Sequence, residues 1–152
     1  MKLAILSDTH NLLRPQVLEA IQGCDAILHG GDCSKQAVLD TLSEIAPLYV
    51  VRGNNDKEWA EALPHDLTLT LEGKTFYMVH KKAEIPQDLP GVDVVVYGHS
   101  HKYAQETRDG ILYLNPGSCG PRRFHQEITL AILTIQGEDM TVEKLLIPHP
   151  EA

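Results

Sequence analysis

KLAILSDTH, residues 2–10, begins as an apolar run and turns abruptly polar. Lys2 to Leu6 reads as a short buried strand, and Asp8 and His10 follow at its carboxyl end. The same arrangement recurs along the chain. Ala26 to Leu28 leads into Gly30-Gly31-Asp32, and Leu48 to Val51 into Gly53-Asn54. Thr75–Val79 ends at His80, and the nearly continuous apolar run Val92 to Tyr97 ends at Gly98-His99-Ser100-His101. Between the first strands, Pro15 opens a helix carrying Val17, Leu18 and Ile21, with Gly23 as its stop. Ser34 is expected to cap a second helix bearing Val38, Leu39, Leu42 and Ile45, which Pro47 terminates. Strand alternating with helix implies parallel strands joined by right-handed crossovers.

The second half reads differently. Leu67, Leu69 and Leu71 alternate with polar residues, so one face is buried and the other wet. Gly73-Lys74 is expected to turn this strand into the next. Asp109-Gly110 marks a hairpin between Tyr103–Arg108 and Ile111–Leu114, and Glu127–Ile135 pairs with Met140–Ile147. The expected fold is α/β, two stacked mixed sheets with helices outside, in a single domain over residues 1–152.

A net charge of -8 argues against broad capture of a nucleic acid polymer or an anionic membrane. Three scattered cysteines, Cys24, Cys33 and Cys119, imply no disulfide framework. With no signal peptide or membrane-length apolar run, the expected location is a reducing cytoplasm. Cys33 reads as a small buried hydrophobe rather than a soft ligand.

Ligands of open α/β sheets gather at the carboxyl ends of strands. That rule brings Asp8, His10, Asp32, Asn54, His80, His99 and His101 toward one crevice as candidate metal ligands. Mixed nitrogen and oxygen donors suit Mn2+, the first choice, or Ni2+, Fe2+, Zn2+ or Co2+, better than Mg2+ or Ca2+. Two aspartates bring -2 against +4 from two divalent ions, and the remaining +2 suits hydroxide and a phosphoryl group.

Ser7-Asp8-Thr9-His10, Gly31-Asp32, Gly53-Asn54, His80, Gly98-His99-Ser100-His101 and Asn115-Pro116-Gly117-Ser118 resemble, in order, the motifs of the calcineurin-like metallophosphoesterase superfamily. Within it the chain is similar to the small YfcE-type phosphodiesterases, over Lys2 to about Arg122. The resemblance implies an α/β/β/α sandwich of two mixed sheets flanked by helices. It implies one metal on Asp8, His10, Asp32 and His101, and a second on Asp32, Asn54, His80 and His99. Asp32 would then bridge the pair at the catalytic centre, and a metal-bridging hydroxide would hydrolyse a small phosphoester substrate.

Asn55 stands where many members of the superfamily carry a histidine, the proposed acid for the leaving group, and Asp56 stands where that histidine's helper would be. Asn55 can donate a hydrogen bond but not deliver a proton, so it is expected to steady charge and to favour esters with good leaving groups. Arg122 and Arg123 are weaker candidates for phosphate contact, and His29 for orienting a ligand from behind. Lys81-Lys82 replaces a Gly-His common in relatives, and the segment from there to Val92 is short, which predicts a reduced covering helix. Asn115-Pro116-Gly117-Ser118 reads as a turn supporting the ligand loops, and His65 as a plain surface residue. The rival reading is a non-catalytic, protein-binding scaffold of the same fold, like the retromer subunit. A homo-oligomer is compatible with the sequence.

Overall fold

The computed structural model describes residues 1–54, 56–122 and 126–148. Asn55, Arg123, His125 and His149 lie outside them.

β1 (Lys2–Leu6), β2 (Ala26–His29) and β3 (Leu48–Val50) run parallel, linked by α1 (Pro15–Ala20) and α2 (Gln36–Ser43). The two C-terminal strands, β9 (Thr129–Gln136) and β10 (Asp139–Leu146), return antiparallel beside β1, giving the order β10-β9-β1-β2-β3. The second sheet contains β4 (Asp66–Leu71), β5 (Lys74–Val79), β6 (Val94–Val96), β7 (Tyr103–Arg108) and β8 (Ile111–Pro116). Its order is β4-β5-β6-β8-β7, with β5, β6 and β8 parallel and the edge strands antiparallel. Both sheets are therefore mixed, as expected.

Strand alternation builds the layers. Along β1, Leu3 and Ile5 face the second sheet, where Phe76, Met78, Val94, Val96, Leu112 and Leu114 meet them. Ala4 and Leu6 face the other way, onto Val17 and Ile21 near α1 and Val38, Leu39 and Leu42 of α2. The outer face of the second sheet is buried more thinly. Tyr77, Val79, Val95 and Tyr97 are covered by Ile85, Leu89 and Val92 and a single 3-10 turn, Lys82–Glu84. Among the described residues the covering helix on that side is reduced to this turn, as the short segment between His80 and β6 predicts.

Three local expectations are corrected. Ser34 does not cap α2: its φ is +74°, whereas an N-cap needs an extended backbone, and Lys35 takes that place at φ -146° with no side-chain cap. The β4–β5 turn is Glu72-Gly73, both left-handed (φ +48° and +81°), with Leu71 paired to Lys74. Asn115 and Pro116 belong to β8 and pair with β7, so they are strand rather than turn.

Candidate metal centre

The ends of β1, β2, β3, β5 and β6 open onto one rim, where the candidate ligands meet. Backbone pairing fastens the first two loops together: Asp8 N–H donates to the Gly31 carbonyl at 3.0 Å and His10 N–H to the Asp32 carbonyl at 2.9 Å. To follow these tight paths, Asp8, His10, Asp32, His99 and His101 all adopt positive φ, between +45° and +76°. Non-glycine residues rarely do so, and such backbone strain concentrates where side chains must be aimed. Glycine is required where the loops press closest. A Cβ on Gly53 would strike the backbone nitrogen and carboxylate of Asp32, and one on Gly98 would strike Ser7 and Asp8.

Donor atoms fall into two groups, Asp8 with His10 and His101, and Asp32 with His80 and His99. In each group they lie within 4.8 Å of one another. The groups are contiguous, because Asp32 Oδ2 sits 3.1 Å from His80 Nε2 and 3.7 Å from His10 Nε2. His10 Nε2 and His101 Nε2 are 3.3 Å apart, and His99 Nδ1 is 3.2 Å from the Asn54 side-chain oxygen. Ligands about 2.0–2.2 Å from a shared divalent ion are themselves roughly 3–3.5 Å apart, so these spacings fit cation coordination.

Hydrogen bonding behind the donors aims them. Asp8 Oδ2 accepts from Ser7 Oγ at 2.7 Å and from His99 N–H at 3.1 Å. Asp8 Oδ1, fully buried, accepts none among the described residues, and faces His101, His10 and His80 Nε2 at 3.5, 3.8 and 3.8 Å. A buried carboxylate oxygen left this way is costly unless a cation satisfies it. His80 Nδ1 donates to the Gly30 carbonyl at 2.7 Å, which leaves the Nε2 lone pair of the neutral ring turned to the centre. That Nε2 is close to Asp32 but lacks the alignment of a hydrogen bond. Burial alone would raise the Asp8 pKa, but His10, His80, Ser7 and His101 outweigh it and hold the carboxyl below its usual value. For His80 burial lowers the pKa, yet Asp32 and Asp8 with the Gly30 carbonyl raise it overall. The donor set therefore fits positive charge at its centre.

Asp56 does more than its sequence position suggested. Buried, it accepts from Asp32 N–H and Gly53 N–H on Oδ2, both at 2.9 Å, and from Ser34 N–H on Oδ1 at 2.8 Å. One carboxylate thus joins the loops after β2 and β3. Backbone donors leave no trace in a sequence, so no motif could have announced this role.

The remaining residues sort themselves by contact. His29 Nδ1 accepts from Gly31 N–H at 3.0 Å, so the neutral ring carries its proton on Nε2 and donates it to Thr9 Oγ1, also at 3.0 Å. Burial pushes its pKa down to about 4. It braces one ligand loop through the Gly31 amide and the other through the Thr9 hydroxyl. Asn115 donates to the Gly98 carbonyl and Ser100 Oγ, and Ser118 Oγ donates to the Asp8 carbonyl. Support from this stretch comes from side chains as well as backbone. Cys33 is buried among His29 and the core, and burial raises its thiol pKa well above the usual value. Arg122 donates from Nε to the Gln126 carbonyl and is absent from the cleft beside the donors. That cleft, about 390 Å³, is bounded by Arg52, Asn54, His65, His80, Lys81 and Glu84. His65 is exposed, as expected, and its Nε2 lies 2.9 Å from Glu84.

Two packed mixed sheets with a rim of aspartate, asparagine and histidine at their strand ends define the class: an α/β sandwich of the metallophosphoesterase kind. The chain belongs to the calcineurin-like phosphoesterase superfamily, whose domain profile matches residues 1–138. Phosphodiesterase YfcE of Escherichia coli strain K12 is 32% identical over 145 residues, covering 78% of this chain and 79% of that protein. YsnB of Bacillus subtilis strain 168, named a probable metallophosphoesterase, is 31% identical over 157 residues, covering 93% and 89%. The solved structure of the E. coli phosphoesterase YfcE superposes with a TM-score of 0.72 at 27% identity, over 97% of this chain and all of that one. Vps29 of Chaetomium thermophilum superposes at 0.78 over 99% of this chain and 100% of its own, but at 19% identity it shares the fold alone.

Proposed function

We propose that the rim holds two divalent cations and that the chain is a metal-dependent phosphodiesterase acting on small phosphoesters. As a member of the phosphoesterase family it is a phosphoric ester hydrolase. One observation carries the two-cation reading: two contiguous donor groups share a rim in which the buried Asp8 Oδ1 has no hydrogen-bond partner among the described residues and faces three imidazole nitrogens. Asp8, His10 and His101 would hold one ion, and His80, His99 and Asn54 the other, with Asp32 reaching both. Two ions there would supply Lewis acidity and an acidified water for attack at phosphorus.

The chain's own residues do the positioning. Ser7 and the His99 amide lock Asp8, the Gly30 carbonyl sets the His80 tautomer, and Asp56 holds the two loops bearing Asp32 and Asn54 in register. Asn55, next to Asn54 in sequence, is assigned the steadying of charge on the leaving group, and esters with good leaving groups should react best. Mn2+ is the first choice of metal, on the mixed donor set. We place the protein in the cytoplasm, as one domain over residues 1–152. All three cysteines are free, and among the described residues no helix is long and apolar enough to cross a membrane.

Metal analysis of the purified protein, joined to hydrolysis of bis-p-nitrophenyl phosphate with added Mn2+ and with chelator, tests this reading. Bound metal and turnover abolished by chelation are expected. A protein that retains no metal and never turns over is instead the scaffold, and turnover indifferent to chelator would remove the cations from the chemistry.

A further inference from the structure

The acidic chain places three lysines around one groove beside His99. Lys81, Lys82 and Lys102 border a cavity of about 430 Å³, together with the buried Tyr97 and with Ser100. None of the three forms an ion pair among the described residues, and no carboxylate borders the groove. The nearest acid in sequence, Glu84, is engaged by His65 at 2.9 Å. The groove stands open where the covering helix is reduced to the turn Lys82–Glu84. Lys81 also borders the cleft that reaches His80 and Asn54, so a molecule reacting at the donors can extend past it into the lysine groove.

Three lysines without an ion pair among the described residues, on a chain of net charge -8, set up a local field opposite to that of the whole molecule. Lysine binds phosphate as a mobile point charge and needs no rigid fork. The cavity exceeds what one phosphoryl group at the donors would fill. Resting on the phosphodiesterase reading, we infer that this groove is a subsite for a second phosphate, and that the substrates are phosphodiesters bearing a terminal phosphate on one of their alcohol groups. The scissile phosphate lies at the donor rim, and the terminal phosphate lies among Lys81, Lys82 and Lys102.

The test uses the Mn2+-loaded full chain and two matched substrates, thymidine 5′-(p-nitrophenyl phosphate) with and without a 3′-phosphate. The 3′-phosphorylated ester should show kcat/KM higher by about tenfold, as expected for a few screened lysine contacts. Raising the salt should erode the preference. Lys82→Gln with Lys102→Gln should bring the ratio close to one. An equal rate for the two esters, or a preference untouched by the double substitution, overturns the subsite. Calorimetric binding of thymidine 3′,5′-bisphosphate against thymidine 5′-monophosphate, in both proteins, separates the two readings. Tighter, lysine-dependent binding without turnover would sink the phosphodiesterase assignment alone. Equal affinities would sink the subsite whatever the rates.

Discussion

Three backbone N–H groups, from Asp32, Ser34 and Gly53, end on the carboxylate of Asp56. Asp56→Ala would leave them without this acceptor, at about 1–3 kcal/mol for each group left fully buried. Chemical denaturation should therefore show a loss of several kcal/mol. Asp56→Asn, which keeps one acceptor oxygen, should fall between and weaken Mn2+ binding by about 10–100-fold. Unchanged stability and metal affinity in Asp56→Ala would remove its positioning role. The candidate donors were legible because aspartate, asparagine and histidine recur just after apolar runs. Asp56 was legible only as an acid near Asn54, because its partners are amide groups that every residue owns. His29 makes a second prediction at this scale. Its folded pKa of about 4 lies below the ordinary 6.5, so the unfolded chain takes the proton first. The stability it contributes is complete above pH 6.5 and is lost as pH falls toward 4, on the order of 3 kcal/mol. The ring should stay neutral in NMR titrations down to about pH 5. An imidazole titrating near its ordinary value in the folded protein would refute this.

Strands were easier to read than their ends. Short apolar runs located β1 and β2, alternation located β4, and Asp109-Gly110 located the β7–β8 hairpin, because burial and turn chemistry are written directly in side-chain type. The N-terminus of α2 was misread because Ser34 is a good cap by composition, while its backbone has been drawn into the left-handed region where its amide meets Asp56. Likewise, nothing in the identities of Asp8, His10, Asp32, His99 or His101 disclosed their positive φ. That conformation follows from loops pressed together across the rim. The packing of the Phe76 side chain, from β5, between the sheets gives a firmer test. Phe76 is fully buried against both sheets, so Phe76→Ala should lower stability by about 3–5 kcal/mol. Urea unfolding should show the shift as a lower midpoint with an unchanged slope. A loss below about 1 kcal/mol would mean the sheets re-close over the gap.

At the scale of the whole molecule, one rim is assembled by chain segments from Asp8 to His101, so cations bound there would couple to folding. Mn2+ at a hundredfold excess over its dissociation constant should add about 2.7 kcal/mol of stability per site, and chelator should reverse it. Calorimetry would record this as a metal-dependent Tm, and a Tm indifferent to Mn2+ and chelator would contradict the linkage. The overall sandwich and its family were readable from the ordered motifs, and the thin cover on the outer face of the second sheet was readable only as a short segment between His80 and Val92. The residues from Lys81 to Val92 connect two finished strands without supplying any donor to the rim. A change in the length or charge of this loop would therefore leave the donor set in place, so the groove beside the rim can be altered without rebuilding the rim itself.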